Sequence, residues 1–290
     1  MSTQSKLLIG AHVSITGGFY KAIEEGSKIG CTAIQIFTKS NRQWASKPIS
    51  KEEAQFFIQT QKKSNIALTI AHASYLINLG SANEETKQKS YAALIDEIKR
   101  CDQLQIPYLV LHPGTADVNE DKETSIKKTG KLIEQALEET KNCSTTVLVE
   151  TMAGQGKSIG SAFEELGLIL KQISHKKRIG VCFDTCHAFA AGYNFATKKN
   201  YNAMMELFDT TIGIQYLKMF HMNDSKKERG CKVDRHEHIG AGSIPLESFS
   251  FIMNDPRWSH VPKILETPKD EHDGILQDQK NLKTLCDLIQ

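Results

Sequence analysis

Eight short segments rich in apolar and β-branched residues recur along the chain, with amphipathic stretches between them. The segments are Leu7–Val13, Ala33–Thr38, Ala67–His72, Tyr108–Pro113, Thr146–Thr151, Ile179–Thr185, Tyr216–Asn223 and Pro262–Thr267. Runs that are almost entirely apolar, such as 109–111 and 146–149, are typical of strands buried on both faces. Segment starts advance by roughly 25–45 residues, the length of one βα unit. The pattern therefore predicts the α/β class and a parallel (β/α)8 TIM barrel with right-handed crossovers.

The length of the chain suits one such barrel. It has 290 residues, of which 40% are hydrophobic, and a barrel of this type needs about 250. Amphipathic stretches such as Glu84–Gln105 and Thr124–Lys141 provide helices for its outer layer. Since no Pro- or Ser-rich linker interrupts the pattern, we expect a single catalytic domain spanning 1–290, with a short polar tail at 1–6.

Charge and cysteine content restrict the environment and the partners. The 36 Lys and Arg residues nearly balance the 34 Asp and Glu residues, so any contact with nucleic acid must come from a local patch. The 7 cysteines are scattered and odd in number, which is typical of a reducing compartment. No signal peptide or membrane span is visible. We expect a cytoplasmic monomer with no membrane contact and no obligate protein partner.

Residues of metal-ligand type stand at the carboxyl ends of the predicted strands, where barrel enzymes place their active sites. These residues are His12, His72, His112, Glu150, Asp184, His221 and Glu266. A single histidine in such a place usually forms hydrogen bonds in a core. A carboxylate buried without a partner costs several kcal/mol, however, which makes Glu150 and Glu266 hard to explain without a cation. The set predicts a metal centre, of zinc or alternatively manganese.

Two local motifs add further candidate ligands. His187 lies one turn beyond Asp184, and Asp234 and His236 share one side of an extended segment because they are two residues apart. A solvated charged loop is the alternative interpretation of the second motif. Cys182 and Cys186 lack the spacing of a Cys-x-x-Cys knuckle, so we interpret them as packing residues.

The number of candidate ligands indicates more than one ion. Leaving His12 aside, there are nine of them, too many for one tetrahedral zinc and generous for two. A cluster of three ions, with a carboxylate bridging a pair, becomes plausible. Metal ions about 3.5–4 Å apart suit phosphodiester chemistry, because they activate water and stabilise both the attacking and the leaving oxygen.

These residues lie within motifs that extend over nearly the whole chain. The motifs are His72–Gly80, Leu111–Gly114, Glu150–Gly156, Gly180–His187, Phe220–Asp224 and Val233–His236, the last followed by Ile239 and Gly240. On these stretches, in this order, the chain resembles the endonuclease IV family of apurinic/apyrimidinic endonucleases. All nine candidate ligands match the family pattern.

The resemblance implies a cluster of three zinc ions, with manganese as the alternative at one site. His72, His112 and Glu150 would hold the first ion. Glu150 would also bridge to the second, and the remaining ligands divide between two sites. The second site would comprise Glu150, Asp184, His221 and Glu266, and the third would comprise His187, Asp234 and His236. His238 is a nearby competitor that the family pattern does not require.

The DNA-contact candidates lie in loops on the same face. Arg42 and Gln43, beside Trp44, follow the second strand, and Tyr75 and Leu76 follow the third. The resemblance implies that Arg42, Tyr75 and Leu76 penetrate the duplex at the lesion, as apolar wedges do elsewhere. A cluster of cations in the loop after the seventh strand is interpreted as a phosphate-binding patch, with an ordinary solvated loop as the alternative: Lys226, Lys227, Arg229, Lys232 and Arg235.

Together these features predict a hydrolase acting on double-stranded DNA with abasic or 3′-blocked lesions. We expect hydrolysis 5′ to the abasic sugar, leaving a 3′-hydroxyl, with Glu150 and Glu266 as the catalytic carboxylates; an accompanying 3′-phosphodiesterase activity is left open. A metal-dependent sugar isomerase or epimerase is the enzymatic alternative, because it explains Glu150, Asp184, His221 and Glu266. The second alternative belongs to another class: a catalytically inert metal protein that binds damaged DNA.

Overall fold

Eight parallel strands close into a barrel in the computed structural model, which describes residues 7–272 and 274–290. Counting the short strands outside the barrel, these residues form β1 (Ile9–His12), β2 (Ala33–Phe37), β3 (Leu68–His72), β4 (Tyr108–Leu111), β5 (Thr146–Glu150), β6 (Ile179–Asp184), β7 (Leu217–His221), β8 (Asp224–Ser225), β9 (His236–Glu237), β10 (Lys263–Leu265), β11 (Glu271–His272) and β12 (Ile275–Leu276). Strands β1 to β7 and β10 form the barrel, and β10 closes it by pairing with β1. The predicted TIM barrel is confirmed. The predicted tail at 1–6 lies outside the described residues.

Helices cover the outside of the barrel between successive strands. They are α1 (Phe19–Ile29), α2 (Lys51–Lys62), α3 (Glu84–Gln103), α4 (Lys122–Glu139), α5 (Phe163–Lys171), α6 (Thr185–Ala191), α7 (Lys198–Thr211), α8 (Leu246–Met253) and α9 (Gln277–Asp287). Helix α4 begins two residues earlier than predicted because Asp121 caps it by accepting from the Thr124 amide. Helix α3 ends two residues earlier, since Gln105 has a φ of 56°, outside the helical region.

Two apolar layers hold the barrel together. A small core fills the interior with residues from seven of the eight strands: Ala33, Ile70, Val110, Leu148, Cys182, Met219 and Ile264. A larger core lies between the strands and the helices. Cys182 packs within the inner core, where burial raises the pKa of its thiol to about 12. The interior is therefore a packed core, and chemistry is confined to the barrel ends.

Strand register aligns the polar residues above this core. Glu150 lies opposite Cys182, and Asp184 lies opposite His221. The bounds of the barrel strands differ from the predicted ones by at most two residues. Asn223, for example, leaves the strand direction to donate a hydrogen bond to Asp184 at 2.7 Å. No helix within the described ranges is long and apolar enough to cross a membrane.

Candidate metal centre

All nine predicted ligands meet at the carboxyl end of the barrel. They form three groups, and within each group the ligand atoms lie within 4.8 Å of one another. The groups are His72, His112 and Glu150; Glu150, Asp184, His221 and Glu266; and His187, Asp234 and His236. We call these the first, second and third groups. Six strand ends, helix α6 and the β8–β9 hairpin thus supply one continuous cluster of ligand atoms.

Glu150 belongs to both the first and the second group. Its Oε2 atom lies 3.3 Å from His72 Nε2 and 3.0 Å from His112 Nε2. Its Oε1 atom faces the other way and lies 2.8 Å from His221 Nδ1 and 3.3 Å from His187 Nδ1. The side chain has no solvent exposure. One carboxylate therefore presents its two oxygens to different sets of ligands, which is the geometry of a bridge.

The third group depends on the β8–β9 hairpin. Asp234 lies 3.1 Å from His187 Nε2 through one oxygen and 3.2 Å from His236 Nε2 through the other. Both Nε2 atoms are nevertheless buried without a hydrogen bond of acceptable angle. Buried polar atoms are rarely left in this state. A cation between the three side chains would satisfy both nitrogens, so these residues fit a metal ion.

A buried carboxylate holds the loop that follows this hairpin. Asp224 accepts hydrogen bonds from the amides of Gly240, Gly242 and Ile244 at 2.9–3.0 Å. A Cβ at Gly242 would lie only 2.4 Å from an Asp224 oxygen, so this approach requires glycine. The segment just beyond His236 is thereby fixed to the start of the hairpin, which limits the freedom of the third group.

Four of the five histidine rings in the three groups are each oriented by a hydrogen bond on one ring nitrogen. The anchored atoms and their acceptors are His72 Nδ1 to Ala73 O (2.7 Å), His187 Nδ1 to Thr151 O (2.8 Å), His236 Nδ1 to Glu266 O (3.1 Å) and His221 Nε2 to Gln35 Oε1 (2.9 Å). A nitrogen that faces a carbonyl oxygen must carry the proton. The opposite nitrogen is then the one available to an ion, as in known metal sites.

Gln35 was not among the predicted site residues. Its amide is fully buried in β2 and donates to Glu266 Oε1 at 2.6 Å, while its oxygen accepts from His221. It also lies 2.9 Å from His12 Nδ1. A glutamine within the apolar run Ala33–Phe37 was the visible signal of this role. Asn223 is a second such residue, since it contacts both Asp184 and the Glu266 amide.

Two further histidines lie beside the cluster and outside the three groups. His12 is 3.7 Å from Glu266 and has a pKa lowered by burial. His238 pairs with Asp270 at 3.0 Å and contacts Asn281, so it links two loops. Among residues 7–272 and 274–290, neither belongs to a group that could hold an ion.

The charge balance of the cluster calls for cations. Burial by itself would lower the pKa of His187, but Asp184, Asp234 and Glu150 raise it well above its ordinary value. The pKa of His236 is raised to about 9 against the same effect of burial, mainly by Asp234. Burial raises the pKa of Glu150, but the neighbouring histidines outweigh this effect and hold that pKa well below its usual range. Bound protons therefore balance the carboxylates when no metal ion does.

The donor set narrows the choice of ion. The three groups contain five imidazoles and four carboxylates and no cysteine. Two alternative groupings of the described residues include Cys182 or Cys186, but burial raises the pKa of each thiol to about 12 and so disfavours the thiolate that a metal ion needs. Such a mixture suits zinc, with manganese as the alternative.

Of the predicted DNA-contact residues, Tyr75 lies directly beside the ligands of the first group. Tyr75 is 54% exposed, and its ring centroid lies 5.2 Å from that of His72 and 5.4 Å from that of His112. Arg42 and Gln43 are exposed, and Leu76 is half-buried. Trp44 is half-buried against the outer core. The five cations of the predicted phosphate-binding patch are all exposed, in the segment 226–235.

Known proteins resemble this chain over almost its whole length. Residues 23–286 match the family described as xylose isomerase-like TIM barrel. A probable endonuclease 4 of Citrifermentans bemidjiense is 45% identical over 283 residues, covering 98% of this chain and 99% of the relative. A protein of the same name from Chloroflexus aggregans is 44% identical over 281 residues, covering 97% of each chain.

Solved structures agree with this similarity. Endonuclease IV from Thermus thermophilus superposes with a TM-score of 0.85 at 33% identity, covering 97% of this chain and 98% of that chain. A D-tagatose 3-epimerase-like protein superposes with a TM-score of 0.73 at 19% identity, covering 96% of this chain and 97% of that chain. The second similarity shows the fold alone.

Zinc binding should release protons, since the ion must displace those held by the histidines. Because the pKa of His236 is raised to about 9 and that of His187 is also raised well above its ordinary value, affinity at the third group should rise with pH at least up to about 9. The expected slope is about tenfold per pH unit for each proton displaced. Titration calorimetry of the metal-free protein at pH 7, in two buffers of different ionisation enthalpy, measures the release. Equal heats in both buffers would contradict the protonated state.

Proposed function

We propose that this chain, which belongs to the xylose isomerase-like TIM-barrel family and within it to the endonuclease 4 proteins, is a zinc-dependent endonuclease of DNA repair. It hydrolyses the phosphodiester 5′ to an abasic site in double-stranded DNA and leaves a 3′-hydroxyl. The observation that carries the proposal is the set of three ligand groups, two of which share Glu150, with an exposed aromatic side chain beside the first group.

Each ligand group would hold one ion. The first comprises His72, His112 and Glu150, the second Glu150, Asp184, His221 and Glu266, and the third His187, Asp234 and His236. Zinc is the proposed metal, with manganese as the alternative at one site. When bound, such ions supply hydroxide at neutral pH and neutralise the charge that develops on a phosphoryl group.

Glu266 is the carboxylate best placed to orient the attacking water. Its side chain retains 11% exposure, whereas Glu150 and Asp184 are fully buried. Gln35 fixes one of its oxygens at 2.6 Å. Burial opposes ionisation of Glu266, but His221 and His12 hold its pKa well below the usual range. A carboxylate that stays ionised at neutral pH can accept a hydrogen bond from the attacking water and so orient it.

Tyr75 and Arg42 are the residues proposed to engage the lesion. Tyr75 projects from the loop beside the first group, and its ring contacts the imidazoles of His72 and His112. Arg42 and the adjacent Gln43 are both exposed on the loop that follows β2. Inserting side chains into a duplex costs unstacking energy, and a missing base reduces that cost. Abasic DNA is therefore the substrate that this face favours.

The remaining DNA contacts would be made to phosphates. The exposed cations are Lys226, Lys227, Arg229, Lys232 and Arg235. They flank Asp234 and His236, so a strand that they hold passes the third group. The same approach admits duplexes with blocked 3′ ends, and the proposal includes 3′-phosphodiesterase activity. We propose that residues 1–290 act as one catalytic domain and as a monomer in the cytoplasm.

A sugar isomerase or epimerase is the second candidate, and the fold similarity to the epimerase-like protein is its support. The second ligand group could serve that chemistry. It would leave the third group, exposed Tyr75 and the cationic segment without a role. Those features favour the endonuclease.

Incision should yield a 3′-hydroxyl that a DNA polymerase extends without further processing. The reason is that the cluster supports hydrolysis and needs no amine nucleophile. The measurement uses a labelled duplex with one abasic site, and the same duplex with an intact base serves as the control. A 3′-unsaturated aldehyde, the product of β-elimination, would show that the mechanism is wrong.

Arg42→Ala and Tyr75→Ala should each weaken binding of the abasic duplex and leave the metal content unchanged. Stacking on an aromatic ring is worth about 1–3 kcal/mol per base, so a loss of roughly tenfold or more is expected for Tyr75→Ala. Phe56→Ala is the matched control, since Phe56 is 52% exposed on α2, away from the ligand groups. If the Tyr75 and Phe56 variants bind equally well, Tyr75 does not contact the lesion.

A further inference from the structure

The two loops that carry Arg42 and Tyr75 are both fastened to helix α3. We call residues 38–49 the β2 loop and residues 73–82 the β3 loop, after the strands that they follow. The β2 loop contains no helix or strand, so its backbone lacks the regular hydrogen bonds that would hold it in place. Side chains of α3 supply the missing restraint.

One face of α3 holds the β2 loop along its length. Arg100 donates to the carbonyl oxygen of Thr38 through Nε and Nη2, at 3.1 and 2.7 Å, and to that of Lys47 at 2.9 Å. Gln103 donates to the carbonyl oxygen of Ile49 at 2.7 Å. Residues three apart on a helix share a face. These bonds attach the loop at its start and near its end.

Glu97, on the same helix, contacts both loops. Its Oε2 atom accepts a hydrogen bond from the Thr38 hydroxyl, and its Oε1 atom accepts from the Ser74 amide at 3.3 Å. The side chain is 1% exposed and lies 3.8 Å from Lys39 Nζ, which is equally buried. Lys39 also pairs with Asp96 at 2.9 Å. Buried charges are tolerated only when paired and hydrogen-bonded, so this pair constrains both loops strongly.

A hydrogen bond joins the β3 loop directly to the β2 loop, next to Arg42 and Tyr75. The Ser74 hydroxyl donates to the carbonyl oxygen of Asn41 at 2.9 Å. Ser74 precedes Tyr75, and Asn41 precedes Arg42. The connection therefore lies one residue from each side chain that would enter the duplex.

We propose that Glu97, paired with Lys39, is a positioning residue that joins the β2 and β3 loops into one rigid unit, so that Arg42 and Tyr75 engage the abasic duplex together. Glu97 is in none of the ligand groups found in the described parts of the chain. It therefore controls substrate engagement and leaves the hydrolytic step unchanged. This inference rests on the proposed function.

A double-mutant cycle in the metal-loaded enzyme tests the proposal. KM and kcat for an abasic duplex are measured for Arg42→Ala, Tyr75→Ala and the double variant, with Glu97 present and again with Glu97→Gln. With Glu97 present, the double variant should lose about fivefold less in kcat/KM than the product of the single losses, because joint insertion fails once either residue is missing. With Glu97→Gln, the losses should simply multiply.

Glu97→Gln alone should raise KM about tenfold and leave kcat within about twofold, since coupling energies of this kind correspond to such factors. Metal content should equal that of the unaltered enzyme. Gln103→Ala is the matched control, because the Gln103 side chain donates a hydrogen bond to the β2 loop and not to the β3 loop. It should lower the melting temperature and preserve the coupling. A merely structural Glu97 would behave like Gln103.

Three results would overturn the proposal: unchanged KM in Glu97→Gln, coupling that persists in that background, or a fall in kcat with loss of metal. If Glu97→Gln does not fold, Thr38→Val with Ser74→Ala removes two of the connections without leaving a buried charge unpaired, and the same loss of coupling is expected.

Should the unaltered enzyme fail to incise the abasic duplex, the proposed function is wrong. Incision without coupling would refute this inference alone.

Discussion

The carboxylate of Glu150 is the group around which the rest of the site is built. It has no solvent exposure, and four imidazole nitrogens lie within 3.3 Å of its two oxygens. A buried anion is unstable unless positive charge compensates it. Barrel closure provides that compensation, because it brings the ends of β3, β4, β6 and β7 around the end of β5. The fold and the charge of one residue are thus mutually dependent.

The side chains of the site are held by different kinds of structure at increasing distance from this centre. The ligands of the first and second groups stand on strand ends above a packed core, and buried polar groups such as Gln35 and Asn223 orient them. The third group stands on a short hairpin whose following loop is held by Asp224. Arg42 and Tyr75, the proposed lesion contacts, stand on loops that are hydrogen-bonded to α3. Ligands fixed on strand ends, with surrounding loops fastened to α3, suit an enzyme that must hold the reacting groups in one geometry.

Much of this arrangement could be predicted from the sequence, and the remainder could not for a physical reason. Apolar runs identify the strands, and ligand types such as His72 and Glu150 directly follow them. The roles of Gln35 and Glu97 depend on contacts between distant parts of the chain: Gln35 meets His221 across 186 positions, and Glu97 meets Thr38 across 59. Local spacing contains no signal of such pairs. Capping and turn geometry likewise moved the helix ends, as at Asp121 and Gln105.

The metal content of two purified variants tests the central claim most directly. Glu150→Gln keeps the volume and replaces one anionic oxygen with an amide NH2, so it should deplete the first and second groups together. Asp234→Asn makes the same chemical change in the third group and should empty that group alone. Elemental analysis beside the unaltered protein gives the stoichiometry. A Glu150→Gln variant that retains the full complement, or loses no more metal than Asp234→Asn, would contradict the bridging role of Glu150.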